Sequence, residues 1–501
     1  MKKNNLMSGA LILSVGSVLA KVFSAIYRIG LTRILGGEGI GIYQLIFPLY
    51  SLCVVLATAG LPMAISKVIA KNQGCEKVVL KKCFCFSALV SLCLTMLLIV
   101  CSKPLAILQG KQEIYICYIL LAPAVLIVSF ISVLRGYFQG KHNFFPSAIS
   151  NIIEQAIKLF LGLCLSVILL KKGLIFAIIG AMLGITISEL FSLVVLIVLI
   201  KKENIKEVSG CNVELKGLMQ DILPITLTNL VLPIATFIDS LLVVNLLANN
   251  FTKSMSIFLY GLESGAVSSL VNLPTIFSFA IASVILPNIA KLKSNHNKTK
   301  NLSLSIKIIL IICVPCVVCF TLIPNRIIEL LYSNKLNGLG VEGLNITFRL
   351  LTLSGFGVVF LALNQVFSSS LQAIDKRYVT VRNLIIAVVI KFVIEFIFLP
   401  SKQINIYALS VSNSVCYITA MVLNYLEVKL HFKMKFNITF VAKLVLSTSV
   451  MILTLILILM FNNSWINTLL ALFVSAVVYL FCLYKTKILS ASDLAMFKYR
   501  V

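Results

Sequence analysis

The chain is a succession of apolar runs, each about twenty to thirty residues long, parted by short polar connections. About 20 apolar residues cross the ~30 Å hydrocarbon core of a bilayer as a helix. The pattern predicts fourteen such spans, at 8–30, 42–70, 83–101, 114–138, 147–170, 173–200, 217–247, 257–290, 303–331, 344–372, 380–400, 404–428, 437–460 and 466–484. A transmembrane barrel is excluded, because its strands alternate at period two and carry no long apolar runs. Polar residues interrupt the first span at Ser14, Ser17, Lys21, Ser24 and Arg28. At about 100° per residue these five fall within roughly 80° of one another, on one helical face. A lipid-facing helix has no use for such a stripe, whereas a helix lining a watery cavity does.

Composition agrees with the pattern. Hydrophobic residues make up 60% of the 501, charged residues 12%, and mean hydropathy is +1.05. The expected class is an all-α polytopic membrane protein. Lys2 and Lys3 before an apolar run resemble a signal peptide, but the run continues to Gly30, so an uncleaved first span is expected. The formal net charge of +26 would suggest nucleic acid in a soluble chain. Its distribution points elsewhere. With the N-terminus inside, cytoplasmic ends and connections collect 29 Lys and Arg, outer ones 11, and Lys21, Lys158 and Lys391 lie within spans. That asymmetry places both termini in the cytoplasm, leaves nucleic acid out, and makes anionic lipid headgroups expected partners of the basic connections.

Enzymatic chemistry finds no support. His142, His296 and His431 all fall in cytoplasmic connections, without acids arranged around them. The fourteen cysteines, Cys313, Cys316 and Cys319 among them, read as small buried apolar residues, and no metal or cofactor is expected. The chain has no GxxxxGK[ST] loop, so any driving force comes from an H+ or Na+ gradient, the membrane potential or the substrate gradient.

Weak internal repetition organises the spans. Ile69-Ala70-Lys71 recurs as Ile289-Ala290-Lys291, and Gly41 matches Gly261 at the same offset of 220. Phe138-Gln139-Gly140 faces Leu371-Gln372-Ala373, and Lys158 pairs with Lys391, at an offset of 233. The polar stripe has a counterpart at Thr226, Asn229, Pro233, Thr236 and Ser240. The expected plan is two pseudo-symmetric six-helix lobes around a central cavity, residues 1–210 and 211–430. Two further helices and a cytoplasmic tail follow at 431–501.

A charge at the bilayer centre costs roughly 2.5–3.5 kcal/mol, so each embedded one needs a reason. Lys21, Ser24, Arg28 and Arg33 form the expected anion-binding face, Arg matching phosphate with its planar fork. Lys158, with Glu154 one turn before it, and Lys391, with Glu395 one turn after, are cavity candidates that an i, i+4 ion pair could equally neutralise. Asp239 could pair with Lys21 or Arg28, or join Glu154 and Glu395 in ion coupling. Gly36-Gly37-Glu38-Gly39-Ile40-Gly41 reads as a flexible outer gate, with Gly39 and Gly41 as its pivots. Pro48, Pro62, Pro224, Pro233, Pro274 and Pro287 are expected to bend or break helices.

Several blocks resemble a known family: Tyr27-Arg28-Ile29 with Arg33 and Gly36; Glu38-Gly39-Ile40-Gly41-Ile42-Tyr43-Gln44; Ala57-Thr58-Ala59-Gly60-Leu61-Pro62; and Arg135-Gly136-Tyr137-Phe138-Gln139-Gly140. Leu223-Pro224, Ile238-Asp239, Leu259-Tyr260-Gly261 and Asn272-Leu273-Pro274 continue the likeness. The chain resembles the stage V sporulation protein B group, in the polysaccharide-transporter and lipid II flippase branch of the MATE-like (MOP) superfamily. The resemblance implies a monomeric flippase in the bacterial cytoplasmic membrane. It would move an undecaprenyl-pyrophosphate-linked saccharide for cell wall, spore cortex or polysaccharide by alternating access, in contact with cell-wall synthesis proteins. It also implies cavity roles for Lys21 and Arg33. The alternatives are a MATE-type multidrug or cation antiporter, which would want an acidic cavity, and a non-transporting scaffold of cell-wall synthesis. A membrane-embedded glycosyltransferase would need catalytic acids on long outer loops, and the outer loops here are short.

Overall fold

The computed structural model describes residues 2–71, 74–203, 205, 215–291, 294–338, 343–432, 438–462 and 464–488. The polar connection at 206–214, the centre of the connection 429–436 and the tail from 489 lie outside the described residues. Among the described residues the chain is helical, with no extended strand. Among the described residues eleven helices are long and apolar enough to cross a membrane, or twelve if a pair bent by 55° counts as one span.

That count differs from the fourteen expected runs for two physical reasons. The first helix, α1 (Lys2–Thr58), is continuous over 57 residues apart from a break at Gly36, where φ is 67°. A straight helix of that length would measure about 85 Å, against a hydrocarbon core of ~30 Å. The outer connection expected at 31–41 is therefore itself helical, interrupted at one glycine. The other difference is a 22-residue helix, Arg377–Phe398, made too polar for the count by Arg382, Lys391 and Glu395.

Two compact units result: residues 1–270, 335–343 and 391–409 form one, and 271–334, 344–390 and 410–501 the other. In the first, α2 (Leu61–Lys71), α3 (Glu76–Leu108), α4 (Tyr115–Gly140), α5 (Phe145–Leu170) and α6 (Leu174–Lys201) follow α1. Here α5 packs along α6 and α1, and α4 against α2, α3 and α6. Leu61, Ile65, Ile69, Val79, Leu80, Leu134, Phe138 and Leu196 form a buried cluster where α2, α3, α4 and α6 meet. The glycines permit this closeness: a Cβ on Gly180 would stand 2.7 Å from the backbone of Leu165. α7 (Leu215–Leu247) and α8 (Lys253–Gly261) lie against α1. A π-helical turn, Leu262–Val267, continues α8 into α9 (Ser268–Val271).

The second unit holds α10 (Thr275–Lys291), α11 (Asn295–Leu322), α12 (Pro324–Tyr332), α13 (Gly343–Gly355) and α14 (Gly357–Gln372). After them come α15 (Arg377–Phe398), whose last turns belong to the first unit, then α16 (Tyr407–His431), α17 (Ile438–Leu459) and α18 (Trp465–Lys485). Asn383, Asn424 and Asn364 link α15, α16 and α14 through side-chain hydrogen bonds of 2.9 and 2.7 Å. Such bonds average about 0.6 kcal/mol between membrane helices. α17 and α18 pack together, and Tyr479 donates to the carbonyl of Ile311 in α11 at 2.8 Å. Prolines act as expected at the 55° bend between α9 and α10, where Pro274 sits, whereas Pro48 and Pro233 are carried within α1 and α7.

The repeat is visible in backbone detail. After α4, His142 takes φ 59°; after α14, Asp375 takes φ 60°, at the offset of 233. Asn143 N–H bonds Phe138 C=O at 3.0 Å, and Lys376 N–H bonds Leu371 C=O at 2.9 Å, again 233 apart. Both turns thus close a helix C-terminus with the same six-to-one bond and left-handed residue.

Candidate functional site

The N-terminal half of α1 has three faces. Val15, Leu19, Val22 and Ile26 are exposed at 58%, 46%, 40% and 50%. They lie about 100–160° around the helix from Lys21 and present an apolar surface suited to lipid. Ala20, Tyr27 and Leu31 are buried against neighbouring helices. Between them Ser17, Lys21, Ser24 and Arg28 are half-buried, forming the polar stripe read from spacing; the side chain of Ser14 lies outside the described set. Arg33 is exposed and stands about 120° from Lys21, so the helix turns it away from that stripe.

Arg28 and Lys158 converge on one aromatic ring. The Arg28 guanidinium lies 5.9 Å and the Lys158 ammonium 5.4 Å from the centroid of Phe47, and Lys158 is also 5.2 Å from that of Tyr27. Phe47 stacks on Tyr43 at 5.5 Å and meets Tyr50 at 5.9 Å, a ladder along one face of α1. The Arg28 Nη2 also donates to Gln44 Oε1 at 3.5 Å, and the Gln44 amide donates to the carbonyl of Ser264. Neither cation forms an ion pair with a described residue. The two charges are at most about 11 Å apart. At an effective dielectric of 20 they repel by roughly 1.5 kcal/mol or more. Cation–π attraction, ~0.5–2 kcal/mol per cation, holds them there without neutralising them. Phe47, Tyr27 and Gln44 were not singled out as site residues from the sequence. Their signal is the 43-47-50 aromatic spacing, which reads equally as core packing.

The remaining embedded cations are engaged differently from expectation. Glu154 does not pair with Lys158 one turn away. Its Oε2 accepts from Arg135 Nη2 at 2.9 Å and its Oε1 from Gln155 at 2.7 Å. Arg135 completes its fork with Ser150 at 3.1 Å and Ser192 at 3.2 Å, a planar fit that an ammonium cannot match. Asp239 does not reach Lys21 or Arg28; it pairs with Lys391, which also lies 3.5 Å from Glu395. All three are buried, at side-chain exposures of 6%, 11% and 0% for Lys391, Asp239 and Glu395. Lys391 therefore stands apart from the Phe47 cluster, inside a group of two carboxylates and one ammonium.

The counterpart stripe on α7 is mainly a packing face. Thr226 donates to the Ala59 carbonyl at 2.6 Å, and Ser240 accepts at 3.4 Å from Gln109, whose amide also donates to Leu45 at 2.9 Å. Asn229 and Thr236 are exposed.

The gate glycines are close-packed rather than loose. A Cβ on Gly41 would collide with the Ile257 carbonyl of α8, and one on Gly261 with the Gly37 carbonyl and, at 2.7 Å, the Gly41 Cα. A Cβ on Gly39 would stand 2.7 Å from Leu174. Gly41 and Gly261 are repeat partners 220 apart, and so are Gly37 and Ile257. The crossing of α1 and α8 is thus reciprocal, 41 on 257 and 37 on 261, as at a two-fold interface. The spacing is the small-xxx-small pattern that lets membrane helices touch backbone to backbone. Gly36 is close-packed too, with a would-be Cβ 2.8 Å from the Lys335 carbonyl oxygen, and its φ of 67° is the conformation that interrupts α1. Beside it Glu38 pairs with Lys111 at 2.9 Å.

Known proteins share this architecture. Stage V sporulation protein B of Bacillus subtilis (strain 168) is 28% identical over 307 residues, covering 58% of this chain and 59% of that protein. The uncharacterized membrane protein YabM of the same organism is 31% identical over 308 residues, 59% and 57% of the two chains. The matches thus span under three-fifths of the length of these two relatives. The lipid II flippase MurJ of Bacillus subtilis (strain 168) is 24% identical over 468 residues, covering 85% of this chain and 83% of that protein. Among solved structures, an inward closed lipid II flippase MurJ superposes with a TM-score of 0.73 at 18% identity, over 94% of this chain and 98% of that one. An inward-facing multidrug resistance MATE family transporter of the MOP superfamily gives 0.66 at 17% identity, over 85% and 97%. The fold is that of the MOP-superfamily transporters, and with residues 6–293 matching its family model, the chain belongs to the polysaccharide biosynthesis protein family.

Proposed function

We propose that this chain is a flippase that moves an undecaprenyl-pyrophosphate-linked saccharide across the bacterial cytoplasmic membrane by alternating access, with lipid II or a related wall, cortex or polysaccharide precursor as substrate. One observation carries the reading. Arg28 and Lys158 share the Phe47 ring without a carboxylate in ion-pair range, while half-buried Arg135 pairs with Glu154 and buried Lys391 with Asp239 and Glu395. A retained pair of positive charges in a half-buried site is what a phosphate-bearing substrate needs and what a cationic drug would avoid. Lys21 and Ser24 extend the anion path along α1, and Arg33, exposed on another face, would act at the outer surface.

The accompanying topology is fourteen crossings in two six-helix lobes, 1–210 and 211–430, with 431–501 appended and both termini cytoplasmic. Asp239 and Glu395, which flank Lys391, are the carboxylates suited to taking up a proton or cation from the gradient that drives transport. The working unit is a monomer in contact with anionic lipid and with cell-wall synthesis proteins.

The test is transport of fluorescent lipid-linked saccharide by protein reconstituted in vesicles without ATP, with cationic dyes in parallel. Wild-type protein is expected to move the saccharide lipid and not the dyes. Arg28→Gln and Lys158→Gln should each lower flux at least tenfold while inserting normally. Transport of dyes instead would establish the antiporter alternative, and transport of neither would leave the scaffold.

A further inference from the structure

We propose a second anion site, for a phosphate group, in the cavity of about 200 Å³ lined by Lys298, Ile374, Lys376, His431 and Phe432. It lies in the second unit, remote in sequence from the Phe47 cluster, on the side that the charge distribution assigns to the cytoplasm. A water occupies about 30 Å³ of liquid, so the volume admits a phosphate with a short alcohol ester.

Three separate segments bring the basic groups together. Lys298 is in the first turn of α11, Lys376 immediately precedes α15, and His431 ends α16. Glu427 lies 3.6 Å from both the Lys376 Nζ and the His431 Nε2. It holds those two side chains in place and leaves Lys298 to keep the cavity positive.

The placement of the lysines is what points to a ligand. A helix N-terminus is already electropositive and disfavours a cation. Yet α11 and α15 begin beside Lys298 and Lys376, with no acidic residue in either first turn and no side-chain cap on α11. The general preference for lysine on cytoplasmic connections explains one lysine at each. Glu427 and the C-terminal ends of α14 and α16, which also border the cavity, answer Lys376, and Lys298 at the start of α11 is the added positive charge. An anion there satisfies lysines and helix ends together. The first repeat copy lacks the arrangement: Asn143 stands at the counterpart of Lys376, and neighbouring Lys141 is taken by Glu76 at 2.7 Å. The site belongs to the second copy alone.

The phosphate can come from the headgroup of an anionic phospholipid at the membrane surface or from a soluble phosphate. Full-length protein in neutral detergent, titrated with phosphatidylglycerol, phosphatidylcholine or inorganic phosphate and read by native mass spectrometry and melting temperature, separates the two. Wild-type protein should retain phosphatidylglycerol over phosphatidylcholine if the lipid is the source. Stabilisation by millimolar phosphate, with phosphatidylglycerol displaced, identifies the soluble one. Lys298→Gln and Lys376→Gln should each weaken binding about fivefold, and exposed Lys172→Gln should leave it unchanged. Both pocket lysines are only partly buried, so either single variant serves if the double one melts early. Wild-type binding by the double variant, equal loss in Lys172→Gln, or no response to either phosphate source overturns the proposal. Arg28→Gln should lower flux at least tenfold yet bind phosphatidylglycerol normally, which keeps this site's failure distinct from that of the flippase reading.

Discussion

Replacing Gly41 by alanine places a methyl group on the carbonyl oxygen of Ile257, a backbone atom that cannot rotate aside. Overpacking a well-filled contact costs ~1–3 kcal/mol, and a helix-backbone obstacle puts this one toward the upper end. In the orientation proposed above, the crossing of α1 and α8 lies at the outer ends of their spans, so it closes the polar stripe from outside. A two-state transporter changes its populations about tenfold for every 1.4 kcal/mol. Gly41→Ala should therefore shift the equilibrium away from the outer-closed state by roughly 5- to 150-fold.

The readout is labelling of Ser24→Cys, on the polar stripe, in a cysteine-free background by a membrane-impermeant maleimide added from outside. Gly41→Ala should label at least fivefold faster than its parent. Gly261→Ala, the reciprocal position, should match it, and the double variant should add little, because both methyl groups enter the same contact. Gly184→Ala is the control. Its Cβ would strike Gly162 between α5 and α6, so it should lower melting temperature without speeding labelling. If Gly41→Ala melts early like Gly184→Ala but labels at the parental rate, the crossing is scaffold and not a seal.

Lys391→Met leaves Asp239 and Glu395 without the ammonium between them; loss of a buried partner costs ~3–5 kcal/mol, so melting temperature should fall by several degrees, and Asp239→Asn added to it should recover part of the loss. Arg135→Lys keeps the charge and loses the fork to Ser150, Glu154 and Ser192; hydrogen bonds to charged groups contribute about 1.5–3 kcal/mol, and thermal unfolding of purified protein should register a loss of that order. Tyr27→Asp gives Lys158 a carboxylate in place of a ring, and reconstituted flux should fall at least tenfold with normal insertion, whereas Tyr27→Phe should transport normally.

The helical class and the membrane setting were legible because burial in lipid demands long apolar runs, and nothing soluble imitates them. The paired turns at His142 and Asp375 followed the repeat offset, since local capping geometry depends on local sequence. Partnership among charges was not legible. Spacing put Glu154 beside Lys158, yet Arg135, on another helix, outcompetes that lysine with a planar three-way fit. Spacing is blind to such a competitor, because it arrives only when α4 docks. The glycine run misled for a related reason. Glycine means freedom in a turn and close approach in a helix crossing, and only the position of α8 decides between them.

The cation chemistry of the two copies then follows from one substitution on a shared frame. In the offset of 212 that relates the polar stripes of α1 and α7, the counterpart of Tyr27 is Asp239. In the offset of 233 that relates α5 and α15, the counterpart of Lys158 is Lys391. Lys158 sits over Tyr27, and Lys391 pairs with Asp239. The same lysine-to-helix contact therefore occurs in both copies with the partner exchanged, a ring in one and a carboxylate in the other. A ring attracts the ammonium and leaves its charge in force; a carboxylate attracts it and cancels it. Phe47 has Val267 as its counterpart, and Glu395 has Gly162, so each copy is also furnished for its own version alone. Under the proposed function, the first version suits an anionic substrate and the second a coupling cation. The offsets place a lysine-to-helix contact in each copy, and what differs between them is the group that meets the lysine.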